Sequence, residues 1–342
     1  MATFLEQSKI IISTDLAGDM VEDIMDTDAE AEVRQVAFGR TQHGSRLDRA
    51  LAELVPEFSR SYLQQLVEGG AVQLNGCACT RPSTKVRVGD AGQVLLRPTP
   101  QSQAFKPEKL PLDVVYEDEH LRVICKPAGL VVHPAPGNWT GTLLNGLLAL
   151  DERAAALPRA GIVHRLDKDT SGLMVVARSR RAMDALVQSI GARQVHRQYL
   201  ALAHREWTGP ERRLVDAAIG RDPRNRLRMA VVDLTRQSGK TAVTELAVLQ
   251  SANGFCWVQC TLQTGRTHQI RVHMASIGHP LVGDTLYGGA AGAGLARQAL
   301  HACRLAFSHP VSGQSLEFRA QPPADMLAAL QSAGLRYNEV HA

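Results

Sequence analysis

The stretch from Gly161 to Arg178, GIVHRLDKDTSGLMVVAR, constrains this chain more than any other. Apolar residues stand on both sides of a dense polar core, His164-Arg165-Leu166-Asp167-Lys168-Asp169-Thr170-Ser171-Gly172. The flanks are short, aliphatic and rich in valine, the pattern of strands buried in a sheet. The polar core between them must then be a loop held in one pose, and loops held this way tend to present functional groups. Three readings compete. Asp167-x-Asp169-x-Ser171-Gly172 opens like a calcium-binding EF-hand loop, but such a loop needs a bidentate Glu at its twelfth position, where this chain has Arg178. Its flanks would also have to be helices. A structural reading makes Asp167 or Asp169 the cap of an Asx turn, and Asp169 is the better candidate for that. A catalytic reading makes one Asp a nucleophile held by neighbouring cations.

The chain has 342 residues, comfortable for two domains with a tail. Residues 1–40 hold nine acidic side chains against three basic ones and read as an acidic, flexible extension, with Ile10-Ile11-Ile12 as a short apolar run inside it. Past residue 40, basic side chains exceed acidic ones by about ten, which suits an anionic partner. Residues 44–96 form a helix–helix–strand unit. SRLDRALAEL opens with Ser45 as a cap, places Leu47, Ala50, Leu51 and Leu54 on one face and stops at Pro56; SRSYLQQLVEGG opens at Ser59 or Ser61 and closes at Gly69-Gly70. AVQLNG reads as a strand entering an Asn-Gly turn, and KVRVGD and GQVLLR as two further strands. Residues 97–108, with three prolines, read as a linker.

A larger domain spans 109–332, followed by a short tail at 333–342. Strands are expected at 197–203, 243–250 and 255–263, in a strand–turn–strand within LDVVYEDEHLRVICKPAG and in a second hairpin within RLAFSHPVSGQSLEF. Helices are expected from Ala182 to Gly191 and from Thr267 to Ile277, and a flexible Ala/Gly loop at 288–296. The fold class is therefore α+β: a small helical unit, then a mixed, largely antiparallel sheet with helices packed on it. The six cysteines are scattered and Cys77-Ala-Cys79 lacks a second pair, so no metal is expected. No stretch is long and apolar enough for a membrane span, and the start lacks the basic and apolar regions of a signal peptide, so a cytoplasmic location is expected. There is no Walker loop and no dinucleotide fingerprint.

His164 to Gly172 (H-R-L-D-x-x-T-S-G) is similar to the signature of the pseudouridine synthases that modify ribosomal and transfer RNA. Lys126-Pro127-Ala128-Gly129-Leu130-Val131-Val132-His133-Pro134 resembles that family's first motif, and Thr264-Gly265-Arg266-Thr267-His268-Gln269-Ile270-Arg271-Val272-His273 its third. Gly283-Asp284-x-x-Tyr287-Gly288 follows, as it does in the family. The first unit resembles the S4 RNA-binding domain through R-L-D at 46–48, V-x-L-N-G at 72–76 and V-x-V-G-D at 86–90. An S4 domain ahead of D-K-D-T-S-G is most similar to the D-type branch, which modifies large-subunit (23S) ribosomal RNA. The resemblance implies an isomerase that needs no cofactor. It makes Asp167 the nucleophile, Arg271 its carboxylate partner, Tyr199 the aromatic against the target base and Ile270 a lining of the base pocket. It makes Arg165 the side chain that fills the gap left by a flipped nucleotide. RNA contacts are expected from His164, Lys126, Arg46, Arg49 and Arg60.

The chemistry suits these residues. Pseudouridine formation breaks the N1–C1′ bond, turns the uracil and rejoins it through C5, with no redox change. A carboxylate serves attack on C1′, addition to the ring or elimination to a glycal alike. It must be ionised, and a nearby Arg opposes the upward pull of burial on its pKa. Two other function classes stay open at this point. One is a non-catalytic RNA-binding factor of ribosome assembly that keeps the fold, against which Asp167 and Arg271 both speak. The other is a small-molecule glycosidase, which would want two carboxylates and no RNA module. A monomer is expected, since no long apolar helix face asks for a partner.

Overall fold

The computed structural model describes residues 32–338 except 57, 97–103 and 136. They divide into two compact units, the first running to residue 106 with 135–140, the second comprising 107–134 and the residues from 141 onward.

In the first unit the elements are β1 (Glu32–Ala37), α1 (Leu47–Leu54), α2 (Arg60–Glu68), β2 (Val72–Leu74), β3 (Cys77–Ala78) and β4 (Ala91–Leu96). The strands form one antiparallel sheet in the order β1-β4-β2-β3. The apolar faces of α1 and α2 meet the sheet in a cluster built on Leu47, Leu51, Leu63, Leu66, Val72 and Val94. Ser59 caps α2, its hydroxyl accepting from the Tyr62 N–H. Ser45 does not cap α1: the N-cap is Arg46, without a side-chain hydrogen bond.

Two expectations are corrected here. The acidic extension was taken to reach residue 40, yet β1 pairs with β4 from Glu32 opposite Leu96 to Ala37 opposite Ala91. Average charge concealed Val36 and Phe38, which pack on the unit's core, Phe38 only 2% exposed. KVRVGD is not a strand: it contributes one isolated bridge, Arg46 to Lys85, before the chain turns. Residues 1–31, with the Ile10–Ile12 run, lie outside the described residues.

The second unit contains β5 (Asp113–Glu117), β6 (Leu121–Lys126), α3 (Leu143–Leu150), β7 (Ser171–Ala177), α4 (Arg180–Gly191), β8 (His196–His204), β9 (Arg212–Asp216), β10 (Ile219–Asp222), β11 (Asn225–Val231), β12 (Val243–Ala252), β13 (Phe255–Leu262), α5 (Gln269–Ser276), β14 (Leu300–Ser308), β15 (Ser315–Arg319) and α6 (Ala324–Ser332). Nine strands make one sheet in the order β5-β6-β7-β14-β8-β13-β12-β9, with β15 paired to β14. Among the described pairs only β7 with β14 is parallel, so the sheet is mixed and largely antiparallel. The β10–β11 hairpin stands apart as a two-stranded ribbon.

β7 lies at the heart of the sheet. Met174 and Val176 join a cluster with Leu144 of α3 and Met274 of α5, while Leu173 and Val175 join one with Leu186 of α4 and Phe307 of β14. It is buried on both faces, as its sequence requires. Gly172 sits where β7 and β14 come closest; its φ is 114°, and a Cβ there would overlap the Ala302 backbone. The segment expected as a tail begins inside the core: Ala333 and Leu335 pack with α6 and Trp257. The 288–296 loop is irregular but anchored, with Leu295 buried in the same cluster.

Candidate active site

The polar loop emerges at the start of β7, and its backbone is tied down from several sides. Lys126, at the end of β6, is 1% exposed and donates from Nζ to the carbonyls of Pro127, Leu130 and Lys168 at 2.8, 2.9 and 2.9 Å. Arg297 donates to the Asp169 carbonyl and Gln298 to the Thr170 hydroxyl. Asp167 immediately precedes these anchored residues. Lys126 is thus a buried brace, not the phosphate contact expected of it. Burial pushes its ammonium down to about 8, against the pull of Asp169 and Asp167. The Asx reading of Asp169 is also corrected, since among the described residues its carboxylate accepts no hydrogen bond; the ties run to its backbone.

Asp167 faces a cavity of about 270 Å³. β8 supplies Arg197 and Tyr199 to its wall, and α5 with the turn before it supplies His268, Ile270 and Arg271. Arg271 NH1 donates to Asp167 Oδ2 at 2.9 Å. The rest of its guanidinium is gripped by Asp284, which accepts from Nε at 2.7 Å and from NH2 at 2.9 Å in a fork. The side chains of Arg271 and Asp284 are 7% and 1% exposed, so this pair is in the interior. Burial opposes the charge on Arg271, but Asp284 and Asp167 more than offset it and hold the guanidinium above its ordinary pKa. Its permanent charge keeps a cation beside Asp167 at every working pH.

A second partner approaches the other oxygen: His268 Nε2 is 3.8 Å from Asp167 Oδ1. His268 Nδ1 lies 2.7 Å from the Tyr287 hydroxyl, which also accepts from the Met229 N–H of β11 at 2.9 Å. The Tyr287 ring lies against the guanidiniums of Arg271 and Arg228, at 5.0 and 5.3 Å.

Residues 120–276 match the family model described as RNA pseudouridylate synthase, and residues 45–91 match the S4 domain. A protein of Neisseria meningitidis serogroup A, named ribosomal large subunit pseudouridine synthase D, is 49% identical over 294 residues, covering 83% of this chain and 77% of its own. The protein of that name from Xanthomonas campestris is 46% identical over 327 residues, covering 91% and 96%. Among solved structures, human RNA Pseudouridylate Synthase Domain Containing 1 aligns with a TM-score of 0.51 at 26% identity, covering 67% of this chain and 87% of that one. The chain belongs to the RNA pseudouridine synthase family.

A pseudouridine synthase is an isomerase acting on uridine in RNA, and membership decides for an enzyme over a non-catalytic assembly factor or a small-molecule glycosidase. The geometry sorts the candidate residues of this synthase. Asp167, Arg271, Tyr199, Ile270 and Arg165 all line one cavity. Tyr199 is 5% exposed, and Arg165 is exposed with no carboxylate partner among the described residues. His164 lines the same wall but turns its nitrogens inward, Nε2 accepting from the Val175 N–H and Nδ1 buried without a partner. Burial pushes it down to about 3, so it is a neutral packing group and not the RNA contact expected. Arg46 and Arg60 both pair with the buried Asp48, and Arg49 with Glu53, while all three stay about half exposed or more.

Several groups escaped the sequence reading. Asp284 and Tyr287 were visible as part of a motif but without a task. Arg197 was passed over. It is 9% exposed in the cavity wall, its guanidinium lies over Gly265, and it has no acidic partner among the described residues. The β10–β11 hairpin, with exposed Arg221, Arg224 and Leu227, has no counterpart among the expected elements; only its closely spaced arginines could have flagged it.

Proposed function

We propose that this synthase isomerises uridines of large-subunit (23S) ribosomal RNA, in the cytoplasm and as a monomer, with Asp167 as the nucleophile. The observation that carries the reading is the Asp167 carboxylate held by a buried, doubly anchored Arg271 at the edge of a cavity of about 270 Å³. The printed names of the relatives support the ribosomal target.

Reaching C1′ requires the uridine to leave its stack, at a cost of a few kcal/mol. Arg165, exposed at the cavity and without a carboxylate partner among the described residues, occupies the vacated space. Tyr199 stacks on the everted base, a contact worth roughly 1–3 kcal/mol, and Ile270 closes the apolar side of the pocket. Asp167 acts on the nucleoside while Arg271 holds its carboxylate in place through Oδ2, the uracil stays enclosed as it turns, and C5 rejoins the sugar. Arg197 receives negative charge that the RNA brings or that develops as the glycosidic bond opens. Arg46, Arg49 and Arg60 of the S4 domain, with the arginine-bearing β10–β11 hairpin, contact phosphates and fix register.

Mapping pseudouridines by carbodiimide adducts and primer extension, in ribosomal and transfer RNA from cells lacking this gene, tests the proposal. Specific 23S stops should vanish and return with the wild-type gene but not with Asp167→Asn. Loss of stops in transfer RNA alone would contradict the ribosomal target.

A further inference from the structure

The G-D-x-x-Y-G segment, 283–288, stands next to both partners of Asp167, and its tyrosine has a geometry that fixes a proton. A phenol oxygen has two good in-plane directions, one for its own hydrogen and one for an accepted bond. At Tyr287 the accepted bond comes from the Met229 N–H at 2.9 Å. The phenol hydrogen is left the other direction, and 2.7 Å away stands His268 Nδ1. Tyr287 therefore donates to Nδ1, and the imidazole carries its proton on Nε2, the nitrogen 3.8 Å from Asp167 Oδ1.

We infer that Tyr287 locks His268 in the Nε2–H tautomer so that the ring turns a neutral N–H dipole toward Asp167 and positions it, and is neither a base nor an imidazolium. The inference rests on the reading of Asp167 as nucleophile and assigns a device to that site. With Arg271 on Oδ2 and an N–H beside Oδ1, the carboxylate plane is steered from both sides. The opposite tautomer would aim a lone pair at the carboxylate and repel it. An imidazolium would add a second full cation and weaken the nucleophile.

Two further observations agree. His268 holds φ 56° and ψ 22° as the N-cap residue of α5, a left-handed conformation that costs energy for a residue with a side chain and is kept where neighbours over-determine it. Burial lowers its proton affinity, and of the charged groups around it Asp167 and Asp284 pull against burial while Arg271 and Arg165 reinforce it; the outcome is a neutral ring. The segment that delivers Tyr287 is itself fixed. Gly283 has φ 74° and no room for a Cβ against the Arg297 backbone, and Asp284 is committed to Arg271. The turn that orients the arginine thus also orients the histidine.

The test uses the full chain labelled with ¹⁵N-histidine. At pH 7 the His268 resonances, assigned by their loss in His268→Gln, should show a protonated Nε2 and an unprotonated, hydrogen-bonded Nδ1. In Tyr287→Phe they should shift toward a tautomer mixture. Single-turnover rates on RNA should fall about tenfold in Tyr287→Phe and about 10–100-fold in His268→Leu and His268→Asn, with RNA affinity unchanged. His268→Gln, whose amide N–H reaches the ε position, should recover to within about fivefold of wild type. A protonated Nδ1 or an imidazolium at pH 7 overturns the inference, as does a His268→Leu enzyme at wild-type rate, or a Gln variant no faster than Leu. Asp167→Asn run alongside separates the two levels. If it is inactive and Nδ1 proves protonated, only the tautomer inference fails; if it turns over normally, the nucleophile reading fails and takes the positioning role with it.

Discussion

The two units differ in how much charge they bury. In the first, Arg46, Arg49 and Arg60 are 44%, 67% and 53% exposed, and the interior, apart from Asp48 and Gln42, is the apolar cluster behind α1 and α2. Even Asp48 meets its arginines at the surface: burial pulls its carboxyl upward, and Arg46 and Arg60 overcome that and hold it below the usual range. In the second, Arg271, Asp284 and Lys126 are all at least nine-tenths buried. Burying a charge is costly unless it is paired and hydrogen-bonded; Arg271 donates three bonds to Asp284 and Asp167, and Lys126 three to backbone carbonyls. The difference separates two tasks. Surface cations attract a polyanion and can be adjusted one at a time, whereas interior ones hold a carboxylate in a fixed pose and fail together.

That contrast can be broken in graded steps. Asp284→Ala strands the Arg271 guanidinium in the interior. It should destabilise the catalytic unit by about 3–5 kcal/mol and abolish measurable turnover, read by urea denaturation and a single-turnover assay. A comparable stability at wild-type rate would show that the interior network is dispensable. Acid should act next, and on the same unit. Burial lowers His133 to about 4, His164 to about 3 and His301 to about 4. A histidine whose folded pKa is depressed binds its proton more readily when unfolded, so stability is full above about 6.5 and is lost as pH falls from there toward 4. Protection against amide exchange, corrected for the intrinsic pH dependence of exchange, should fall between pH 7 and pH 5 more across 120–276 than across 45–91; an equal fall would contradict the assignment. Asp48→Ala should cost the first unit only about 1–2 kcal/mol, because the arginines it releases already reach water. Smallest of all, Arg46→Ala should lower the salt slope of RNA binding by about one, and an unchanged slope would remove Arg46 from the RNA surface.

Much of this was legible in the sequence for a stated reason. β7 was readable because a strand buried on both faces must be continuously apolar, and Asp167 because no other segment packs so many polar groups between such strands. The pairing of Asp167 with Arg271, 104 residues apart, came from family resemblance, not from spacing. What stayed hidden depends on partners remote in sequence. Lys126 looks like a surface cation until three carbonyls are seen to surround its Nζ. β1 was lost in an acidic average, because the strand is short and only Val36 and Phe38 mark its inner side. Tyr287 carried no message by itself, since its role needs the Met229 amide on one side and His268 on the other.

The central claim is that Asp167, held by Arg271, performs the isomerisation. Its most direct test is tritium release from [5-³H]uridine-labelled 23S RNA under single-turnover conditions, comparing wild type with Asp167→Asn at matched RNA occupancy. The account predicts release by the wild type and at least about a 10⁴-fold loss in the variant, with RNA binding intact. Release by Asp167→Asn at a rate near wild type would contradict it.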